Sequence, residues 1–334
     1  MYLPSEWLGK PYYSLDAYLK KEFGEKVYKL SLDGGMTCPN RDGTCGTRGC
    51  IFCSEGGSGD FAGDRRLSIS EQIRAQKAML QKKRPVREYI AYFQAYTNTY
   101  APVNVLEKLF TEALSDPEVV ILSVATRPDC LGAEILDLLE RLNRWKPVWV
   151  ELGLQTIHAS TAAYIRRGYP LSCFETALEE LHRREIPVIV HTILGLPFET
   201  EEMVLDTMHY LNRQPVSGIK LQLLHVLKHT DLAKDYLDGK FQVLDRDAYL
   251  TLVMHCLAAL RPDLVIHRLT GDGPKDLLIA PLWSQAKRSV LNDLHRRLKE
   301  AQIWQGKDLG FRMTDTANGH PRPNYTKNTS DKNF

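Results

Sequence analysis

No run in the sequence approaches the ~18 apolar residues of a membrane-spanning helix, so no membrane association is expected. Neither charge is in excess: 43 Lys and Arg stand against 41 Asp and Glu, a formal net charge of +2. That balance does not by itself mark a nucleic-acid binder. Two basic clusters, QKKRPVR at 81–87 and LHRRLKE at 294–300, keep such a partner open, although each taken alone reads as a solvated helix face. The opening stretch MYLPSEWLGKPYYSLDAYLKKEFG has no apolar signal core, so the expected location is cytoplasmic. Thiols in that compartment stay reduced, which leaves metal binding or catalysis as the usual reason for clustered cysteines. There is no internal repeat beyond an alternation of short apolar and amphipathic segments.

What is present is the composition of a soluble globular enzyme, 334 residues with 43% hydrophobic and 25% charged side chains. After an N-terminal segment (1–25), strand-like stretches fall at 26–33, 88–95, 118–126, 147–155, 187–195 and 218–226. Helical periodicity falls between them, at 70–84 (with Ser70 placed to cap), 103–115, 132–144, 158–167, 172–184 and 200–213. Six apolar strands alternating with helices predict a parallel α/β sheet with right-handed crossovers, either open and doubly wound or closed into a full or partial barrel. The core is expected over 26–235, with an α/β extension at 236–310. That extension holds a helix at 245–261, a strand and turn at 264–274 and a helix at 281–302. Residues 311–334 have almost no apolar content and read as a disordered tail.

In parallel α/β folds chemistry gathers where strands end. The polar, Gly- and Pro-containing segments QAYTNTY (94–100), TRPD (126–129), LQT (154–156), GLPFET (195–200) and HVLKHT (225–230) each follow a strand, as does a cysteine loop. In that loop the spacing is Cys38-x6-Cys45-x4-Cys50-x2-Cys53. Four thiolates can build a tetrahedral zinc site. The surrounding glycines equally suit an iron–sulfur cluster, which needs close backbone approach. A thioredoxin-like pair would need only two cysteines, placed before a helix. Spacing alone leaves zinc and iron–sulfur open, while Cys130, Cys173 and Cys256 stand singly and read as core residues.

The stretch TCPNRDGT followed by GCIFC resembles the radical S-adenosylmethionine (SAM) superfamily, and within it the Elongator-like YtqA/YhcC (MnmL-like) family. The likeness extends from about 25 to 300 through SVATRPDCL (123–131), ELGLQT (151–156), IRRGY (165–169), HTILGLPFET (191–200), KLQLLHVLKHT (220–230) and IHRLTGDGP (266–274). The resemblance implies a partial (β/α)6 TIM-like barrel of parallel strands with a C-terminal α/β extension. It implies a 4Fe–4S cluster on Cys38, Cys50 and Cys53, whose open iron takes SAM, with Cys45 a spectator. For SAM it implies Gln94, Asn98, Thr126 and Arg127 near the methionine and ribose, and Glu151 and Gln155 at the ribose hydroxyls. Arg166 or Arg167 would face the carboxylate, and the backbone from Gly195 the adenine.

On the substrate side the candidates are His225, Lys228 and Arg268, with Thr230, His267 and Asp272 beside them; a cation with imidazoles suits an anionic group. The activity implied is generation of a 5′-deoxyadenosyl radical and hydrogen abstraction from the wobble uridine side chain of tRNA. The conversion implied is of 5-carboxymethylaminomethyl-uridine to 5-aminomethyl-uridine, with a flavodoxin or ferredoxin as electron donor. Two other readings remain at this level: the same chemistry on a small molecule or tetrapyrrole, and a non-enzymatic zinc-binding RNA or protein module. Oligomeric state is not legible.

Overall fold

The computed structural model describes residues 4–57, 59, 61–82 and 86–311. All but the first residue of the 311–334 tail, and part of the 81–87 cluster, lie outside them. Six strands, β1 (Tyr28–Leu32), β2 (Tyr89–Phe93), β3 (Val119–Thr126), β4 (Val148–Gln155), β5 (Val188–Leu194) and β6 (Gly218–Leu223), pair in sequence order, all parallel. The predicted sixth strand divides after Leu223. Its last residues form a short β7 (Val226–Leu227) outside the main sheet. The predicted strand at 264–274 is β8 (Val265–Arg268), which adds to β6 as a seventh parallel strand. The extension therefore completes the sheet as well as packing on it. β9 (Leu278–Ala280) pairs antiparallel with β7.

Helices α1 (Leu15–Phe23), α2 (Ile69–Gln81), α3 (Val103–Leu114), α4 (Ala133–Trp145), α5 (Ala159–Tyr164), α6 (Leu171–Arg183), α7 (Glu201–Asn212), α8 (Asp231–Leu237), α9 (Arg246–Ala259) and α10 (Lys287–Glu300) complete the chain. Two expectations are corrected. The cap of α2 is Ser68 rather than Ser70, because Ser68 and Glu71 satisfy each other's backbone donors in a capping box, with Ser68 N–H to Glu71 Oε2 at 2.8 Å. The helix expected at 281–302 is a 3-10 turn over Leu282–Ala286 before α10 starts. Helices α1 and α8 and strand β9 are additional to the expected elements. Among the described residues, no helix is long and apolar enough to cross a membrane.

The seven parallel strands curl into a half-barrel. Period-two alternation divides their side chains between two cores. Leu122, Val150, Leu152, Val190 and Leu221 point outward and pack with Phe110, Leu139, Phe174 and Met208 of the covering helices. Ile90, Ile121, Trp149, Ile189 and Val265 point inward. An open half-barrel would leave that inner layer wet. The N-terminal segment closes it: Trp7, Tyr13 and Tyr18 pack there, Tyr18 with its ring 6.0 Å from Trp149, and Ser14 bridges to Ile266. This apolar plug fills one end, so among the described residues the polar interior lies toward the strand C-termini.

Gln305 clasps the plug in place. Its Oε1 accepts from Tyr13 N–H at 2.9 Å, and its Nε2 donates to the carbonyls of Arg261 and Leu264 at 2.7 and 2.8 Å. Gln305 is fully buried, as are its bonds to Tyr13 and Leu264, so removing the amide strands three backbone groups. Gln305→Ala is expected to cost about 2–4 kcal/mol, measured as a lowered urea midpoint.

Candidate active site at the open end of the half-barrel

A cavity of about 750 Å³ opens at the C-terminal ends of the strands. Cys38, Cys50 and Cys53 line one wall, Glu151, His191 and Lys220 form part of the floor, and His225, Arg268 and Asp272 line the far side.

The cysteine wall is shaped by hydrogen bonds from the loop itself. Arg41 N–H donates to Cys38 O (2.8 Å) and Cys53 N–H to Cys50 O (3.1 Å). The Arg41 guanidinium reaches back to the carbonyls of Cys53 and Ser54. Gly49 holds φ +72°, and a side chain there would stand 3.0 Å from Arg41 Nε, so the chain closes over Arg41 only as glycine. Asn40 Nδ2 donates to Cys50 Sγ at 3.4 Å. A hydrogen bond from the Cys53 thiol, opposed by burial and helped by Asn40, Arg127 and Arg41, draws Cys50 down to about 6. The same bond and burial push Cys53 well up. Of the two neighbouring thiols, Cys50, bonded to Cys53 and near the Arg127 and Arg41 guanidiniums, is the one primed to ionise. All three cysteines are free.

Among the described residues, no three His, Cys, Asp or Glu side chains converge tightly enough to hold a single metal ion. A cubane asks for something different, three thiolates on three separate irons, and Cys38, Cys50 and Cys53 all line this one cavity. Cys45 is exposed and lines a separate recess with Tyr100 and Cys130.

The floor is a buried charge layer. Glu151 Oε1 accepts from Lys29 Nζ (2.7 Å) and Ser123 Oγ (2.9 Å); Oε2 meets His191 Nε2 (2.7 Å) and Lys220 Nζ. Both lysines also stack on Tyr92, 4.5 and 4.6 Å from its ring centre. Burial would raise the Glu151 carboxyl, but Lys220 and Lys29 hold it well below the usual carboxylate range. Each oxygen of Glu151 therefore already has two protein partners.

Beside the cysteines, Arg127 and Arg167 both stack on Tyr169 at 4.9 Å. Arg127 makes a two-pronged pair with Asp129 and donates to Arg167 O (3.0 Å). Arg167 donates to the carbonyls of Leu154 and Thr156 at the end of β4. Asn40 Nδ2 donates to Arg166 O (2.8 Å), which ties this segment to the cysteine loop. Gly168, at φ +84°, sits where any Cβ would lie 2.5 Å from Asn40 Oδ1. Gln155 lines the cavity from a bulge in β4 at φ +61°, a left-handed conformation costly for a non-glycine residue.

Other expected residues scatter. Gln94 and Thr126 line the cavity. Asn98 lies outside it, stapling β2 to β3 through Phe93 O and Ala125 O. Arg166 turns away to Asp231 at 2.9 Å. Gly195, at φ +82°, closes β5 against Leu244.

On the far side, His225 Nε2 lies 3.1 Å from Ser284 Oγ, whose hydroxyl proton goes to Pro281 O (2.8 Å). Ser284 must then accept, so the His225 proton is on Nε2 and Nδ1 is an acceptor. Gly271 makes room for that edge, since a Cβ there would stand 2.4 Å from His225 Cε1. Arg268 reaches the cavity with no hydrogen bond or ion pair among the described residues. Asp272 is paired with Lys287. Lys228 donates outside to Asp276 O (2.7 Å), and Thr230 caps α8. His267 is half-buried against Trp149, its ring 5.5 Å away.

A cysteine loop after the first strand, over a cavity closed by a parallel half-barrel, is matched by known families. Residues 43–211 match the radical SAM superfamily, and residues 216–300 the radical SAM C-terminal domain. The chain belongs to the radical SAM superfamily. It is 44% identical over 298 residues to the protein YtqA of Bacillus subtilis, covering 89% of this chain and 92% of that one. It is 37% identical over 293 residues to the protein YhcC of Escherichia coli K12, covering 87% and 93%. Among solved structures, archaeal Elp3 of Methanocaldococcus infernus shares the fold, with a TM-score of 0.65 at 15% identity, covering 84% of this chain and 64% of that one.

For this radical SAM chain, sequence reasoning passed over Lys29, Tyr92, His191 and Lys220, which build the floor. A signal was available: a charge at an inward position of an apolar strand has to find a partner. Asn40, Arg41 and Tyr169 were also passed over, having only loop or turn context.

Two outcomes follow for this layer. Glu151→Ala leaves two lysines facing each other without a carboxylate and is expected to cost about 3–5 kcal/mol, read as a lowered urea midpoint. Burial, with Lys220 adding for His191, holds both His191 and His225 at about 4 against an ordinary 6.5. The unfolded chain takes up these protons first as pH falls. Stability is therefore full above about pH 6.5 and drains toward pH 4, by up to about 3 kcal/mol per imidazole. Thermal melts across that range check it, with His225→Phe expected to flatten the slope.

Proposed function

We propose that Cys38, Cys50 and Cys53 hold a 4Fe–4S cluster, that SAM lies between them and the β4 tip, and that the substrate is a wobble uridine side chain of tRNA. The observation that carries this reading is one continuous cavity with three thiols on one wall and an unpartnered arginine on the other. Its volume lies within the range of about 300–1,000 Å³ usual for ligand pockets. When bound, the cluster and SAM supply a 5′-deoxyadenosyl radical that takes hydrogen from carbon, given one electron from a flavodoxin or ferredoxin.

The chain's own residues do the rest. Asn40, Arg41 and Arg127 favour the Cys50 thiolate at the cysteine wall. Gln155 and Gln94 offer amides for ribose hydroxyls, while Glu151, with both oxygens occupied, organises the floor. Phe52, Ile193 and Leu227 line the cavity and help exclude water. Arg268 holds a substrate carboxylate, a role for which Lys228 points the wrong way. His225, neutral and held by Ser284, lines the cavity on the same side as Arg268. An amine beside a carboxylate is what a 5-carboxymethylaminomethyl group presents. Its methylene C–H is weakened because both neighbours stabilise the radical. Loss of one electron to an acceptor such as the flavodoxin or ferredoxin, and of the N–H proton, would give an imine. Its hydrolysis by water would release the two carbons as glyoxylate and leave 5-aminomethyl-uridine. The motif series shared with the Elongator-like branch supports the tRNA assignment.

The test is the tRNA nucleoside profile of a deletion strain. The 5-aminomethyl product and nucleosides derived from it are expected to vanish, with the carboxymethylaminomethyl form accumulating. Wild type should restore the profile and Cys50→Ala should not. An unchanged profile removes this substrate. A colourless zinc protein after anaerobic purification removes the cluster.

A further inference from the structure

The cavity does not end at its mouth. Gln285 and Lys287 line both it and a second, open groove of about 780 Å³ that runs along α10. Arg246, Lys287, Arg288 and Arg296 line that groove with one carboxylate, Asp293. Asp293 is already taken up by Arg246 (3.2 Å) and Arg296 (2.5 Å). Along one path lie three cations without a partner among the described residues: Arg268 inside the cavity, exposed Lys275 at its rim and exposed Arg288 in the groove. On a chain with a net charge of only +2, the way out of the reaction cavity is lined by more cations than carboxylates: Arg268, Lys275, Lys287, Arg246, Arg288 and Arg296 against Asp272 and Asp293.

We infer that this strip is the track for the RNA phosphate backbone, with the groove along α10 binding phosphates next to the nucleotide whose side chain enters the cavity. The inference rests on the tRNA reading above and adds to it the surface that binds. A small anionic substrate would have no use for cations outside the mouth; a polyanion threaded into the cavity passes them in succession. Phe61, exposed and lining the same cavity, offers a ring face for a base turned out of its stack, which favours RNA over an acidic peptide.

Binding of unfractionated bacterial tRNA to the reconstituted full chain, measured by anisotropy between about 50 and 200 mM KCl, tests the track. Arg288→Glu alone and Arg288→Glu with Arg296→Glu are compared with Arg144→Glu with Arg183→Glu. That last pair makes an equal charge change at exposed positions on α4 and α6. The double groove variant is expected to bind about tenfold or more weakly, with the log–log salt slope falling by about 2, and Arg288→Glu by about 1. The α4/α6 variant should keep the wild-type slope. If groove and control variants weaken binding alike, or if the groove variants keep the wild-type slope, the track is wrong while the tRNA reading stands. If wild type shows no salt-dependent tRNA binding, both fall.

Discussion

One buried carboxylate organises the inside of this half-barrel. Glu151 stands on the central strand and is met by Lys29 from the first, Ser123 from the third, His191 from the fifth and Lys220 from the sixth. Burying such a group alone would be prohibitive. With two ammonium groups in contact it stays ionised, and the lysines in turn need it. The layer lies directly above the inward Trp149, Ile121 and Ile189, on which the N-terminal plug packs. The interior thus changes from dry to polar within one period of the strand. That step is what makes an otherwise solid barrel end in a cavity.

The wall that faces the sulfurs depends on backbone carbonyls more than on side-chain pairs. Arg167 spends its guanidinium on the carbonyls at the end of β4, and Arg127 spends part of its own on the carbonyl of Arg167. Asn40 binds the same segment and a cysteine sulfur at once. A rigid link therefore runs from the cysteine loop through the turn after α5 to the strand tips. Loops alone are mobile. Here two glycines at positive φ, Gly49 and Gly168, let backbone and guanidinium approach closely enough to lock them.

Much of this was legible beforehand. All six predicted strands exist, the sheet is parallel, and the cysteine spacing with its following motifs pointed to the radical SAM superfamily, to which the chain belongs. Boundaries moved where capping competed: Ser70 and Ser68 are both plausible caps, and only the reciprocal bond with Glu71 selects Ser68. Lys228 and Arg268 looked equivalent as cations after a strand. They separate only because β7 turns out to pair with β9 and carries Lys228 to Asp276, while β8 joins the main sheet and aims Arg268 inward.

The sequence by itself determined the strand–helix alternation, the inward and outward faces and the cluster of thiols, because these are local matters of period, propensity and spacing. It could not determine which charges share a layer, since Lys29, Glu151, His191 and Lys220 meet only when parallel register brings residues up to nearly 200 positions apart to one height. Nor could it determine which cations stay unpaired. That depends on the carboxylates each one meets in space, and the curl of the sheet sets those encounters.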